Sequence, residues 1–214
     1  MKQAIKALVL PHELKVLTIP WGVGRGLKMP LNPQHELRIW LGLYEIEVAR
    51  HLRRLVTTGM RCYDVGGQYG YDALVLARLS RGPVVSFEAD AALTPRMKQT
   101  FRLNGELAPS LTAVQAFVGK GDGGTLSLDD FADCEPPEFI KVDVDGSELE
   151  VLIGAERILR EAHPALVIET HSHELEEACG QLLVAHGYRP RIVHQRLVFP
   201  DRRPIPHNRW LVAA

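Results

Sequence analysis

RCYDVGGQYGYDALVLARLSRGPVVSFEAD, residues 61–90, contains the strongest structural pattern in the chain. Its first apolar residues, Cys62 to Val65, predict a short strand that breaks into a glycine-rich turn. An apolar helix and a second strand follow, and the second strand ends on Glu88. This order of elements predicts a β-α-β unit, in which a nucleotide-like ligand lies across the strand ends and the second acid binds its ribose hydroxyls.

The spacing of the turn indicates which nucleotide. A dinucleotide site has the pattern G-x-G-x-x-G, whereas residues 64–70 read DVGGQYG. A carboxylate before the first glycine, that of Asp64, would repel a pyrophosphate but suits a ligand with a cationic amino-acid tail. S-adenosylmethionine (SAM) has such a tail and is favoured over NAD. The alternative is a turn that only packs a helix on a sheet.

Each residue of this turn receives a predicted role. We expect Asp64 to orient the loop and to meet the amine of the methionine tail, directly or through water. Glu88 is the predicted acceptor for the ribose hydroxyls. The glycines expected to let the backbone approach the ligand are Gly66, Gly67 and Gly70.

Composition sets outer limits on the function. The 214 residues fit one domain, and a net charge of −1 gives no electrostatic argument for nucleic acid or an anionic membrane as partner. The apolar runs are shorter than the ~20 residues of a membrane-spanning helix. The cysteines, Cys62, Cys134 and Cys179, have no metal-binding spacing and are expected to be free thiols of a cytoplasmic protein.

Along the chain, turn-rich residues 1–40 are expected to form an arm that packs on a ligand-binding domain, residues 41–214. In that domain strands and helices alternate, which predicts an α/β fold with a mostly parallel sheet and helices on both faces. Long helices are predicted over 41–57, 92–107 and 147–162, and the last two strands are predicted to form a closing hairpin.

Polar groups cluster at a second place in the sequence. The segment 139–152, FIKVDVDGSELEVL, puts Asp143 and Asp145 at the carboxyl end of a buried strand. The next strand ends in Glu169 and His171. Because ligands of open α/β sheets bind at the carboxyl ends of the strands, these groups are expected to converge near the sulfonium of SAM.

These motifs carry a family resemblance. The segment IKVDVDGSELEVLIGA (140–155), with VIETH (167–171) after it, resembles the FkbM-type SAM-dependent methyltransferases. GLYEIEVARHL (42–52), SLDDF (127–131) and HNRWLVA (207–213) support it, so that the similarity runs from Gly42 to the C-terminus. The chain departs from the family pattern at Gly67-Gln68, where Ala-Asn is usual, at Asp145, where Glu is usual, and at Ala89, where Pro often follows the acid.

The resemblance implies a Rossmann-like class I methyltransferase fold with seven strands in the order 3-2-1-4-5-7-6. It also implies methyl transfer, typically to a hydroxyl oxygen on a sugar or a natural-product scaffold. Glu45 matches a family position that would point at the cofactor tail, although a solvated helix acid is an equal alternative. Glu148 matches a family glutamate that either caps the preceding loop or takes part in chemistry. Lys141 is expected to pair with an acid, and Asn104 to have a packing or capping role.

Transfer to a hydroxyl requires that the hydroxyl lose a proton. His171 is the first candidate for the base, because an imidazole titrates near neutral pH. Further options are His173, His194 and the carboxylate of Asp143. Alternatively, Asp143 and Asp145 with Glu169 or His171 hold Mg²⁺ or Mn²⁺ against a diol and lower its pKa.

The preferred hypothesis is therefore a SAM-dependent O-methyltransferase that acts on a small hydroxylated molecule, with a homodimer through the apolar N-terminal arm as a further expectation. Two alternatives stay open: a non-catalytic SAM-binding protein and an NAD(P)-dependent oxidoreductase. The oxidoreductase is disfavoured by the missing G-x-G-x-x-G and by the absence of a Tyr-x-x-x-Lys pair after the fourth strand.

Overall fold

Nine strands and eight helices make up the part of the chain that the computed structural model describes, residues 13–132, 135–196, 207 and 209–214. The strands are β1 (Lys15–Thr18), β2 (Lys28–Leu31), β3 (Cys62–Val65), β4 (Val84–Glu88), β5 (Leu111–Gln115), β6 (Phe139–Val142), β7 (Ala165–Thr170), β8 (Arg191–His194) and β9 (Arg209–Ala213). The helices are α1 (Leu37–Trp40), α2 (Ile46–Leu55), α3 (Tyr71–Ser80), α4 (Thr94–Leu103), α5 (Leu128–Phe131), α6 (Glu148–Ile153), α7 (Glu156–Glu161) and α8 (His173–Ala185).

Seven strands form one sheet in the order β5-β4-β3-β6-β7-β9-β8. The first five in this order are parallel, and β9 is antiparallel to both β7 and β8. Numbered within this sheet alone, the order is 3-2-1-4-5-7-6, and the labels differ only because a separate two-stranded sheet precedes it. The predicted α/β fold class, with its mostly parallel sheet, is confirmed.

Alternate strand residues face two different apolar cores. Cys62 and Phe139 pack with the buried side chains of α2, α3 and α4 on one face of the sheet. Tyr63 and Ile140 pack with those of α6, α7 and α8 on the other. Both faces of the central strands are therefore covered, which is why these strands are almost continuously apolar. The order of the strands reverses between β3 and β6, so the carboxyl ends of these two strands mark the switch point of the sheet.

The described part of the predicted arm, residues 13–40, forms an antiparallel pair of strands, β1 and β2, followed by α1. Asn104, at the end of α4, fixes this pair to the domain. Its side-chain oxygen accepts a hydrogen bond from the backbone N–H of Lys28 at 3.0 Å, and its amide donates to the Lys28 carbonyl at 2.8 Å. The amide also donates to the carbonyl of Thr100. The expected packing or capping role of Asn104 is thus seen in its contacts.

Replacement of Asn104 by alanine should lower the free energy of unfolding by about 1 to 3 kcal/mol, because two or three hydrogen bonds to backbone groups are lost. Urea denaturation of the full chain measures this. Asn104→Asp retains the acceptor but not the donor, so an intermediate loss is expected. Equal stability of both variants and the parent would contradict the role of Asn104 as the tie between the strand pair and α4.

The long helix predicted over 147–162 is instead two short helices, α6 and α7, with a break at Gly154. A Cβ at Gly154 would lie 1.9 Å from the carbonyl oxygen of Gly119, so this backbone contact requires glycine. The carboxylate of Asp129 then accepts hydrogen bonds from the N–H groups of Arg157 and Ile158 in α7. Tertiary contacts from a distant loop therefore end one helix and start the next. The other two predicted helices exist but are shorter, α2 starting at Ile46 and α4 ending at Leu103.

The cysteines Cys62 and Cys179 are buried free thiols, as expected, and burial raises the pKa of each to about 12. Cys134 lies outside the described residues. Within the described ranges, none of the helices has the length and hydropathy needed to cross a membrane.

Candidate active site

The glycine-rich loop after β3 is packed against its neighbours. Gly66 and Gly67 both donate backbone hydrogen bonds to the carbonyl oxygen of Phe87, at 3.0 and 2.8 Å. Gly66 adopts φ +92°, and a Cβ there would lie 1.7 Å from the carbonyl oxygen of Asp143. A Cβ at Gly67 would lie 2.0 Å from Ser86 Oγ, and one at Gly70, with φ +82°, would meet the ring of Phe101. The glycines therefore allow close approach of protein backbone and side chains, whatever they also do for a ligand.

Glu88, at the end of β4, is held by the same loop. One carboxylate oxygen accepts the N–H of Gln68 and the other accepts the N–H of Asp90, both at 2.7 Å. The side chain is buried and lines a cavity. Since each carboxylate oxygen has a second lone pair, these two bonds leave acceptor capacity on a side chain that lines the cavity.

The cavity itself, of about 400 Å³, opens at the carboxyl edge of the sheet. It is bounded by the ends of four parallel strands and the loops that follow them. Its lining comprises Val65–Gly66 and Gln68–Tyr69 at the end of β3, Phe87–Asp90 and Leu93 at and after the end of β4, Ala116–Val118 after β5 and Asp143–Asp145 after β6. It therefore spans the switch point, where ligands of open α/β sheets bind.

Asp64 lies beneath this loop rather than in the cavity. It is buried, and Ser86 Oγ donates a hydrogen bond of 2.7 Å to its carboxylate. Burial raises the pKa of Asp64 to about 6, against the opposing effects of Lys141 and the Ser86 hydrogen bond. The contacts agree with the predicted role in orienting the loop. The carboxylate of Asp64 does not line the cavity, so its contact with a ligand amine stays a prediction.

Lys141, on β6, is the buried cation of the site. Its Nζ is 3.1 Å from Asp72, 3.3 Å from Glu45 and 3.6 Å from Asp143 Oδ2. The expected pairing of Lys141 with an acid is thus observed, with three partners instead of one. Glu45 is buried, which excludes the alternative of a solvated helix acid. Burial also raises the pKa of Asp72 to about 6, because the loss of hydration outweighs the attraction of Lys141.

His171, after β7, sits at the meeting point of several carboxylates. Its Nδ1 is 2.5 Å from Glu148 Oε1, while its Nε2 is 3.1 Å from Asp145, 3.6 Å from Asp143 and 3.7 Å from Glu169. Burial lowers the pKa of His171, but the hydrogen bond with Glu148 and the charges of Asp143 and Asp145 raise it by more than that. The pKa of His171 therefore lies above its ordinary value. The structure therefore unites His171, Asp143, Asp145 and Glu169 as predicted.

The other two histidines proposed as bases do not reach this centre. His194 is exposed on β8, the far edge strand of the sheet. His173 is exposed at the start of α8, where its ring contacts His207 and accepts a hydrogen bond from Arg209. Arg209 also pairs with Glu176, and this small polar cluster is a feature that the sequence analysis missed.

Glu148 and Ser86 make contacts in the site, with His171 and Asp64, that were not predicted from the sequence. Glu148 is fully buried, and besides His171 its Oε1 accepts the N–H of Gly146. The bond to Gly146 is the predicted loop-capping contact, and the alternative role in chemistry stays a prediction. Ser86 on β4 lies opposite Asp64 on β3. Side chains alternate between the two faces of a strand, so Ser86 and Glu88 share a face of β4, and this pattern could have predicted the contact.

Comparison with known proteins agrees with this architecture. Residues 124–190 match the family described as Methyltransferase FkbM domain. This segment contains Asp143, Asp145, Glu148 and His171 but neither Asp64 nor Glu88. The predicted resemblance to the FkbM-type methyltransferases is thereby confirmed. No curated protein matched the chain in sequence.

Solved structures share the fold at low sequence identity. The methyltransferase FkbM from Methylobacillus flagellatus KT is 22% identical with a TM-score of 0.62, over 72% of this chain and 43% of that protein. This chain thus spans less than half the length of that relative. A SAM-dependent O-methyltransferase from Thermotoga maritima is 16% identical with a TM-score of 0.59, over 79% and 64%. Fibrillarin from Aeropyrum pernix, solved with natively bound SAM, is 15% identical with a TM-score of 0.52, over 75% and 68%. The fold is that of the class I methyltransferases.

Proposed function

We propose that this protein binds SAM in the cavity at the switch point and transfers its methyl group to a hydroxyl oxygen of a small acceptor. The observation that supports this most directly is the position of the cavity. It runs from Glu88, at the tip of β4, to the turn Asp143–Asp145, beside His171. A nucleoside with a cationic tail and an acceptor can therefore meet at one sheet edge.

The charge of the site favours SAM over a dinucleotide. Asp143, Asp145 and Glu88 line the cavity, and Glu45 and Asp72 lie behind it around Lys141. Such an excess of carboxylates suits the ammonium and sulfonium of SAM and would repel a pyrophosphate. In this proposal Glu88 accepts the ribose hydroxyls, and the methionine tail lies toward the loop 66–70. The FkbM match and the SAM named for the similar solved structures agree with the assignment.

The acceptor is proposed as a small hydroxylated molecule. A hydroxyl that attacks the methyl carbon in line with the departing sulfur must lose its proton, and His171 is the residue at this edge whose nitrogen can assist. Its Nε2 serves either as proton acceptor or as ligand of a cation that lowers the hydroxyl pKa. A net charge of −1 supports a small molecule more than a nucleic acid. A protein that binds SAM without turnover is the second candidate.

Calorimetric titration of the full chain with SAM and, separately, with NADH tests the cofactor. We expect saturable SAM binding and none of NADH. Glu88→Gln should weaken SAM binding about 10- to 100-fold, which corresponds to the ~1.5–3 kcal/mol of hydrogen bonds to a charged group. Glu106→Gln, which removes an exposed acid, is the matched control and should bind like the parent.

One result would overturn the cofactor, and another would overturn the ribose contact of Glu88. If NADH binds and SAM does not, the protein is an oxidoreductase on a related sheet. If both Glu88→Gln and Glu106→Gln bind SAM with the parental affinity, the ligand does not use the predicted ribose acceptor. Circular dichroism of Glu88→Gln shows whether the loop that Glu88 holds through Gln68 and Asp90 is still folded.

A further inference from the structure

The Nε2 atom of His171 lies near three carboxylates but forms no hydrogen bond with them. Because Nδ1 lies 2.5 Å from Glu148 Oε1, the ring donates a hydrogen bond from Nδ1–H to that carboxylate, and in the neutral ring the lone pair is then on Nε2. Nε2 is buried, with the side chain 3% exposed, and it makes no hydrogen bond with any described residue. A histidine whose Nδ1–H is held by a carboxylate while Nε2 makes no hydrogen bond has the arrangement of a metal-binding histidine.

The separations around Nε2 agree with a shared cation. Asp145 Oδ1 is 3.1 Å away but is not aligned for a hydrogen bond, and Asp143 Oδ1 is 3.6 Å away. Ligands bound at about 2.1 Å lie roughly 3.0 Å apart in an octahedral site and roughly 3.4 Å apart in a tetrahedral one. The three side-chain atoms lie within 4.8 Å of one another. An ion fits between them after small side-chain movements.

The carboxylate excess requires positive charge here. Lys141 approaches the opposite oxygen of Asp143, Oδ2, and therefore leaves Oδ1 directed at His171. The carboxylates around Lys141 and His171 are those of Glu45, Asp64, Asp72, Asp143, Asp145, Glu148 and Glu169. One lysine leaves this set strongly negative, and a divalent ion at the His171 end would reduce the excess.

Asp145 supplies the ligand that faces solvent. Its side chain is 71% exposed, and its backbone lies in the left-handed region at φ +47°, which is unfavourable for a residue other than glycine. This conformation brings the carboxylate over His171 and places it on the wall of the cavity. The predicted metal set paired these two aspartates with Glu169 or His171. The geometry selects His171, since Glu169 groups with Glu45 and Asp143 on the inner side.

We propose that Asp143, Asp145 and His171 bind a divalent transition-metal ion at the acceptor end of the cavity. One imidazole nitrogen with two carboxylates suits Mn²⁺, Fe²⁺, Co²⁺ or Zn²⁺ better than Mg²⁺, which prefers oxygen ligands alone. The remaining positions face the cavity. They would take two neighbouring oxygens of the acceptor, so the site is specific for vicinal diols or α-hydroxy carbonyl compounds.

The part played by the ion in methyl transfer rests on the proposed function. On binding to the ion the acceptor hydroxyl releases its proton to water at the exposed Asp145 side. The oxygen then forms a bond with the methyl carbon, the bond between carbon and sulfur breaks, and the electron pair stays on sulfur as S-adenosylhomocysteine. In this state His171 is a ligand and not the base.

Metal binding can be measured without an acceptor. The full chain is freed of metal with a chelator and titrated with Mn²⁺, with electron paramagnetic resonance to count the free ion. We expect one saturable site, and Asp145→Asn and His171→Gln should each weaken Mn²⁺ binding at least about tenfold. Asp145 is exposed, so Asp145→Asn tests the site even if the buried substitution unfolds the protein. Asp122→Asn, which neutralises another exposed acid, is the control and should bind as the parent does.

SAM titration of the same proteins separates the two proposals. Mn²⁺ binding that depends on Asp145 and His171 supports the metal site. If such a protein fails to bind SAM, the metal site still stands and only the proposed function is wrong. The absence of a saturable site for Mn²⁺, Co²⁺ and Zn²⁺ in a protein that binds SAM overturns the metal site and leaves the proposed function standing. Equal Mn²⁺ affinity of the parent, Asp145→Asn and His171→Gln also overturns it.

Discussion

Gly66→Ala is expected to lower the free energy of unfolding by about 2 to 5 kcal/mol and to abolish SAM binding. Two costs add up at this position. The backbone φ of +92° is unfavourable by about 1–2 kcal/mol for a residue with a Cβ. The new methyl group would also lie 1.7 Å from the carbonyl oxygen of Asp143, and overpacking of this kind costs about 1–3 kcal/mol.

The contact cannot relax easily, because it joins the tips of β3 and β6. Asp143 donates a backbone hydrogen bond to Val65, and Gly66 donates one to Phe87, so movement of the loop breaks the parallel ladders on both sides of β3. Urea denaturation and SAM titration of the full chain measure the two effects.

Gly59→Ala is the matched control for this prediction. Gly59 also has a positive φ, +95°, but a Cβ there would meet nothing within 4 Å. Its replacement should therefore cost only the conformational part, about 1–2 kcal/mol. If Gly66→Ala were no less stable than Gly59→Ala, the close approach of the loop to Asp143 would not be a constraint on the fold.

The carboxyl edge of the sheet was predictable because strand direction and order fix it. Once β3, β4, β6 and β7 are parallel neighbours, the acids at their ends must share one edge, and Glu88, Asp143 and His171 do so. The same register aligns Asp64 with Ser86 on one side and with Lys141 on the other. Those contacts follow from the strand order but were not among the predictions.

The contacts of helix residues were not predictable in the same way. Glu148 is the first residue of α6, which packs against α8, and α6 is separated from α7 by a break at Gly154 that depends on the contact with Gly119. The helical pattern over 147–162 is equally consistent with one continuous helix. Likewise, whether Glu45 faces solvent or Lys141 depends on where α2 begins, at Ile46 in the structure. Local pattern leaves such boundaries open, and long-range packing decides them.

Lys141→Met should lower the free energy of unfolding by about 3 to 5 kcal/mol at pH 8, a loss of the same size as that of Gly66→Ala. The methionine has a similar shape but leaves Glu45, Asp72 and Asp143 without their shared cation. Removal of one partner from a buried ion pair has a cost of this size, because the remaining charges stay desolvated. Lys120→Met is the control, since Lys120 pairs with Glu150 at 2.8 Å on the surface and such pairs contribute up to about 1 kcal/mol.

The stability lost in Lys141→Met should be smaller at low pH than at high pH. Burial raises the pKa of Asp64 and of Asp72 to about 6 in the folded protein, above the ~3.9 of an unfolded chain. The folded state therefore binds more protons than the unfolded state between about pH 4 and 6, and stability falls as pH rises through this window. Lys141 holds both pKa values down, so without it they rise further and the fall in stability extends to higher pH.

Urea denaturation of Lys141→Met and of the parent should accordingly show a smaller difference at pH 5 than at pH 8, because protonation relieves the unpaired carboxylates. A difference that is the same at both pH values, or no larger than that of Lys120→Met, would mean that Lys141 is not the cation on which the buried acids of this site depend.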